Sequence, residues 1–178
     1  MAYLVVKYFH VIFVLALMAG TTIEFAILGA IRRSSNAQEL TRAIEQFFKL
    51  RWIYIPGYLG IIATGAYLGS VIGNESSQWL AVAFASLLLM MVFGGVLSGR
   101  SFSKARQLLK ANADEWAATR AILNGFAVHV SLWMRLFLIL GIFTVISYKP
   151  NLVVSIIMVC FATGTGFFVA LLRRKQLS

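Results

Sequence analysis

Long apolar runs broken by short basic stretches set the pattern of this chain. Runs able to cross ~30 Å of hydrocarbon, roughly 20 residues each at helical rise, occupy 3–31, 53–73, 79–99, 123–147 and 151–172. The pattern predicts an all-α fold, a polytopic transmembrane bundle of five helices forming one domain over 1–178. Two intervening stretches differ in kind. Segment 35–51 sets Leu40, Ile44, Phe47 and Phe48 at helical spacing among Arg42, Glu45 and Lys49. Segment 101–119 does the same with Phe102, Leu108 and Leu109 among Lys104, Arg106 and Lys110. Each reads as an amphipathic cytoplasmic helix, lying at the membrane surface or forming a solvated helical loop.

Basic residues give the expected orientation, because cytoplasmic connections hold an excess of Lys and Arg. Of 16 such residues, Arg32, Arg33, Arg42, Lys49 and Arg51 fall in the first connection, and Arg100, Lys104, Arg106, Lys110 and Arg120 in the third. Arg173, Arg174 and Lys175 form the tail. The opposite side receives Lys7, Lys149 and the acidic turn Gly73-Asn74-Glu75-Ser76, and Arg135 sits within a run. An N-terminus outside and a C-terminus in the cytoplasm satisfy every connection. Ala16 to Gly20 offers small residues of the kind a signal peptidase cuts, but the run continues to Ile31 and its basic pair follows it. A retained span accounts for both facts.

Composition agrees, with 60% apolar and 12% charged residues. The net charge of +10 reflects the cytoplasmic connections rather than a nucleic-acid surface. Cys160 is the single cysteine, which excludes an internal disulfide or a CxxC metal site. The second run opens on an aromatic girdle, Trp52 to Tyr58, with Pro56 in its first turns. Gly65xxxGly69 and Gly95xxxGly99 offer close helix contacts, including self-association, or reflect ordinary glycine abundance in membrane helices. The fifth run carries no ionisable residue before its tail, only the small polar patch Thr163 to Gly166, and is expected to be the most peripheral. Asn74-Glu75-Ser76 fits a glycosylation triplet, meaningful only in a eukaryotic secretory membrane.

Candidate chemistry lies with ionisable groups inside the spans, since an unpaired charge at the bilayer centre costs about 2.5 to 3.5 kcal/mol. At ~1.5 Å per residue, Glu24 and Arg135 each lie ~10 Å above the inner edge. The matched depth predicts a structural ion pair between the first and fourth helices, the alternative being that Arg135 snorkels to the headgroups by itself. His10 and His129 suggest two ligands of one haem, but a depth offset of roughly 15 Å argues against sharing one iron. His129 reads as a structural residue near the inner boundary. No paired carboxylates, nucleophile triad, phosphate loop or HExxH motif occurs, so catalytic residues are unassigned and no metal site is expected.

Tyr3-Leu4-Val5-Val6-Lys7-Tyr8-Phe9-His10-Val11-Ile12, followed by Met18-Ala19-Gly20, resembles the first helix of a superfamily of small bacterial membrane proteins. That superfamily joins HemJ-type protoporphyrinogen oxidases, CopD-like copper-resistance domains and an uncharacterised group of predicted integral membrane proteins. Lys149-Pro150 matches its typical helix ending, and Pro56-Gly57 and Gly65 also fit. The resemblance covers 1–151 loosely. It implies that His10, with Lys7 as companion, would serve binding of haem b. The Pro-Arg that follows the small-residue pair in the oxidases is missing here, and Trp79 to Gly99 contains no histidine. These departures favour the uncharacterised group. The expectation is thus a multi-pass protein of the bacterial inner membrane, a small accessory or redox-linked subunit in contact with lipid and with other subunits or copies of itself. The alternatives are a haem-bearing oxidoreductase using His10, and a small transporter or ion conductor using Glu24 and Arg135.

Overall fold

The computed structural model describes residues 1–72 and 78–174. The acidic turn Gly73 to Ser76, with its glycosylation-type triplet, and Lys175 of the basic tail lie outside the described residues. The chain forms α1 (Ala2–Arg33), α2 (Ala37–Lys49), α3 (Arg51–Ile72), α4 (Gln78–Val92), a π-helical segment (Phe93–Ser98) and α5 (Gly99–Ala111). A 3-10 turn (Ala113–Glu115) then leads to α6 (Trp116–Leu123), α7 (Phe126–Tyr148) and α8 (Leu152–Arg174).

Among the described residues four helical stretches are long and apolar enough to cross a membrane: Ala2–Arg33, Gln78–Ala111, Phe126–Tyr148 and Leu152–Arg173. Only 17 to 39% of their apolar windows is buried inside the protein, and the outward side chains are large and apolar, Leu4, Phe143 and Phe161 among them. Apolar surface on that scale is untenable in water and natural in lipid. The chain is a membrane protein. The remaining predicted run is α3, a helix of 22 residues that carries Arg51, Pro56, three tyrosines and its glycines.

Helix α7 lies at the centre, with α8 along one side and α4 and the π segment along another, while α1 touches it and carries α3 on its own flank. Small residues set these distances. A Cβ on Gly166 would stand 2.9 Å from Met134 Cα and Trp133 O, so α8 and α7 are in direct backbone contact there. Gly166 of the small polar patch therefore marks the seam with α7, while Gly164 faces open space, and α8 has the least buried window of the four. Gly57 of α3 admits the Leu17 side chain of α1. Gly95 meets nothing within 4 Å and Gly99 only the Gly94 carbonyl of its own helix, so Gly95xxxGly99 makes no close contact with another helix among the described residues.

Beyond the apolar belt the two amphipathic segments correct the sequence expectation. Gln78–Ala111 is one helical run of 34 residues through the π segment, ~51 Å at helical rise and so ~20 Å longer than a hydrocarbon core. The overhang, α5, packs with α2 and α6 into a cap. Leu40, Ile44, Phe102, Ala105 and Leu123 bury against Ile27, Leu28 and Ile31 of α1 and Val128 and Leu132 of α7. Phe47 stacks on Phe102 with ring centroids 3.6 Å apart. The buried parts of the apolar faces thus close on each other and on the ends of the bundle. Segment 101–119 is also not one helix, since α5 ends at Ala111 and α6 starts at Trp116. The fourth apolar run begins at Phe126 rather than 123, because Asn124-Gly125 interrupts the chain.

The cap's first helix has a defined start. Asn36 Oδ1 accepts from the Glu39 backbone N–H at 2.9 Å, and Glu39 Oε2 accepts from Ser35 N–H at 2.9 Å. This is the reciprocal arrangement of a capping box, moved one residue outward.

Candidate functional site

Leu17, Thr21, Glu24, Leu28 and Ile31 recur every three or four residues on α1 and form its buried face. Glu24 is fully buried and Arg135 is 3% exposed. The structure brings them together: Arg135 Nη2 donates to Glu24 Oε1 at 2.5 Å. Arg135 does not reach toward the headgroups. Its Nε donates to the Ser131 carbonyl at 3.2 Å, and its guanidinium carbon lies 6.0 Å from the Tyr54 ring centroid. The second Glu24 oxygen accepts from the Tyr54 hydroxyl at 2.9 Å.

The centre continues into the π segment. A π turn moves backbone carbonyls off the usual fourth-residue partner, and here Ser131 Oγ donates to the Phe93 carbonyl at 2.7 Å. Ser98 Oγ in turn donates to Ser131 Oγ at 2.9 Å. Gly94 makes room for the cation, since a Cβ there would stand 3.2 Å from Arg135 Nη1. One polar cluster thereby joins α1, α3, the π segment and α7. Its formal charges cancel, and the buried side-chain atoms that lack a partner among the described residues, Trp79 Nε1, Thr119 Oγ1 and Asn124 Oδ1, all lie elsewhere. Such closure is what low-dielectric surroundings demand of a buried pair.

Sequence reasoning missed three members of this centre. By sequence Tyr54 belongs to an interfacial girdle, Ser131 carries no expectation, and the π segment carries only the Gly95xxxGly99 contact expectation and none of irregular backbone. The adjacent glycines Gly94-Gly95 were the one available signal of irregular backbone.

His10 lies far from this cluster, on the α1 to α3 seam. Its Nδ1 is 2.8 Å from Thr64 Oγ1, and Thr64 Oγ1 donates its own proton to the Gly60 carbonyl at 2.5 Å. With its proton on Gly60, the threonine oxygen accepts from the Nδ1–H tautomer of His10, the form that leaves the lone pair on Nε2. The ring packs over Gly65, whose Cβ position is 3.3 Å from His10 Cε1. Lys7 is exposed on α1.

His129 sits at the opposite end. Its Nε2 accepts from Arg32, and its Nδ1–H donates to the Gly125 carbonyl at 3.1 Å. Arg32 stands some six turns beyond His10 on α1, ~33 Å along the axis. The two histidines are therefore further apart than the ~15 Å that depth counting along the sequence suggested, because His129 reaches the very end of α1. They do not bracket one iron. Among the described residues no group of three or more His, Cys, Asp or Glu could hold a metal ion. Comparison with family models, curated proteins and solved structures finds no match for this chain.

Proposed function

We propose that the chain is a bacterial inner-membrane protein of five spans, N-terminus outside and C-terminus cytoplasmic, serving as a small accessory or redox-linked subunit of a membrane assembly. The observation that carries this reading is the closed state of the charged centre: Glu24 has both oxygens engaged, by Arg135 and Tyr54. A pair so enclosed fixes helix positions and leaves no open carboxylate to relay protons or ions, which counts against the transporter reading. α3 is the fifth span, since 22 residues cover ~33 Å at helical rise. The orientation follows from thirteen of the 16 Lys and Arg being in the cap, its connections and the tail. The test is purification of the tagged chain from its native membrane in mild detergent, where a stoichiometric second membrane polypeptide is expected and a homogeneous lone monomer counts against the subunit role.

A second reading rests on the His10 tautomer. An Nδ1–H held by Thr64 with a free Nε2 lone pair is how protein imidazoles are set for ligation, so His10 fits a single axial ligand of haem b. The residues do not fit a bis-histidine haem within one chain. Bound haem would supply one-electron transfer, with His10 holding the iron and Thr64 fixing the ring. The measurement is the absorption spectrum: a Soret band lost in His10→Ala supports haem, and a colourless folded protein refutes it.

A further inference from the structure

We propose that the cleft between α1, α7 and α8 at the cap end binds the phosphate-bearing headgroup of an anionic phospholipid. This stands on the cleft itself and not on the subunit reading. Phe25, Leu28, Gly29 and Arg32 of α1, His129, Leu132 and Trp133 of α7, and Arg173 of α8 enclose about 290 Å³. That is near the lower limit of roughly 300 Å³ for small-molecule sites, room for a headgroup but not for acyl chains.

The lining is polarised along the helix axis. Arg32 and Arg173 are exposed near the ends of their helices, Phe25 and Trp133 are half-buried, and Leu28, His129 and Leu132 are buried, Phe25 meeting Trp133 edge to face at 5.2 Å. Arg32 and Phe25 are two turns apart, ~10 Å, which suits a phosphate beside Arg32 with the glycerol end of the headgroup against the aromatic pair and the acyl chains outside the cleft.

Charge supplies the stronger argument. Two guanidinium groups face one cleft whose lining has no carboxylate, and the ion pair formed among the described residues, Glu24 with Arg135, involves neither. Arg173 lies over the Trp133 ring at 6.0 Å. Arg32 commits one donor to His129 Nε2, and among the described residues it makes no other hydrogen bond or ion pair, which leaves donors for an anion. His129, held at Nδ1 by the Gly125 carbonyl, acts as a positioning residue that aims Arg32. Basic clefts between spanning helices are where anionic headgroups bind.

The test uses the full chain in a mild non-ionic detergent, with dioleoyl phosphatidylglycerol, dioleoyl phosphatidylcholine and inorganic phosphate as probes, read by native mass spectrometry and thermal unfolding. Retention of phosphatidylglycerol about tenfold above phosphatidylcholine is expected, falling about tenfold in the Arg32→Gln, Arg173→Gln double variant, as loss of charge-assisted hydrogen bonds implies. An Arg100→Gln, Lys104→Gln variant on the cap should retain lipid like the wild type. Equal retention of both lipids by the wild type overturns the proposal and needs no variant to fold. So does equal loss in the cap variant, which would indicate non-specific charge. Inorganic phosphate raising the unfolding temperature as much as phosphatidylglycerol would assign the cleft to a free anion and overturn the lipid assignment.

Discussion

Removing the carboxylate at Glu24 is the perturbation with the largest expected cost. Glu24→Gln keeps the shape but leaves the Arg135 guanidinium, 3% exposed, without a counter-charge, and the new amide group offers a donor where acceptors are needed. Breaking one side of a buried pair costs about 3 to 5 kcal/mol. Arg135→Met strands the carboxylate in the same way and is expected to cost a similar amount, eased by the Tyr54 hydroxyl that still donates to Oε2 at 2.9 Å. Combining them removes both charges at once, and replacing a whole buried pair by neutral groups is often close to neutral. The double variant should therefore be no less stable than the milder single, which requires a coupling energy of at least about 3 kcal/mol. Tyr54→Phe provides a third arm, losing about 1.5 to 3 kcal/mol for one hydrogen bond to a charged group. The assay is reversible unfolding in mixed micelles at rising dodecyl sulfate, followed by tryptophan fluorescence. A double variant as unstable as the sum of its two singles would refute the reasoning.

Ser131→Ala removes the donor to the Phe93 carbonyl and should destabilise by about 1 to 3 kcal/mol in the same assay. Gly166→Val places a Cβ 2.9 Å from the α7 backbone and should force α8 away, costing about 1 to 3 kcal/mol and lowering the unfolding temperature. Asn36→Ala should cost about 1 kcal/mol, visible as faster hydrogen exchange in the first turn of α2. The hydrogen bonds from the Ser35 backbone and hydroxyl hold the Glu39 carboxyl below its usual value. The protection its ionised form gives α2 is present above the unfolded-state value and is lost as pH falls through the lower folded-state value, which a pH series of exchange rates checks.

The ion pair was legible because depth is countable: Glu24 and Arg135 lie at matching distances from the same edge on helices running in opposite directions. Tyr54 was not, since hydropathy assigns a tyrosine near the start of a span to the interface whether its hydroxyl faces headgroups or a buried carboxylate. The cap was hidden for a related reason. An apolar stripe such as Leu40, Ile44 and Phe47 has the same periodicity whether it faces lipid or a neighbour like Phe102. The π segment rests on tertiary compensation by Ser131, which lies on another helix and leaves no local periodicity to read. His10 stood out in the sequence as a histidine within a span, but its tautomer depends on the partner chosen by Thr64, and so on the packing of α3 against α1.

The subunit role is tested most directly by isolating the tagged chain from its native membrane in mild detergent and measuring composition and absorption on the same sample. The account predicts a second membrane polypeptide in fixed ratio, retained in Glu24→Gln, Arg135→Met at detergent concentrations where that double variant stays folded. A homogeneous monomer carrying one haem per chain, with its Soret band abolished by His10→Ala, would contradict it.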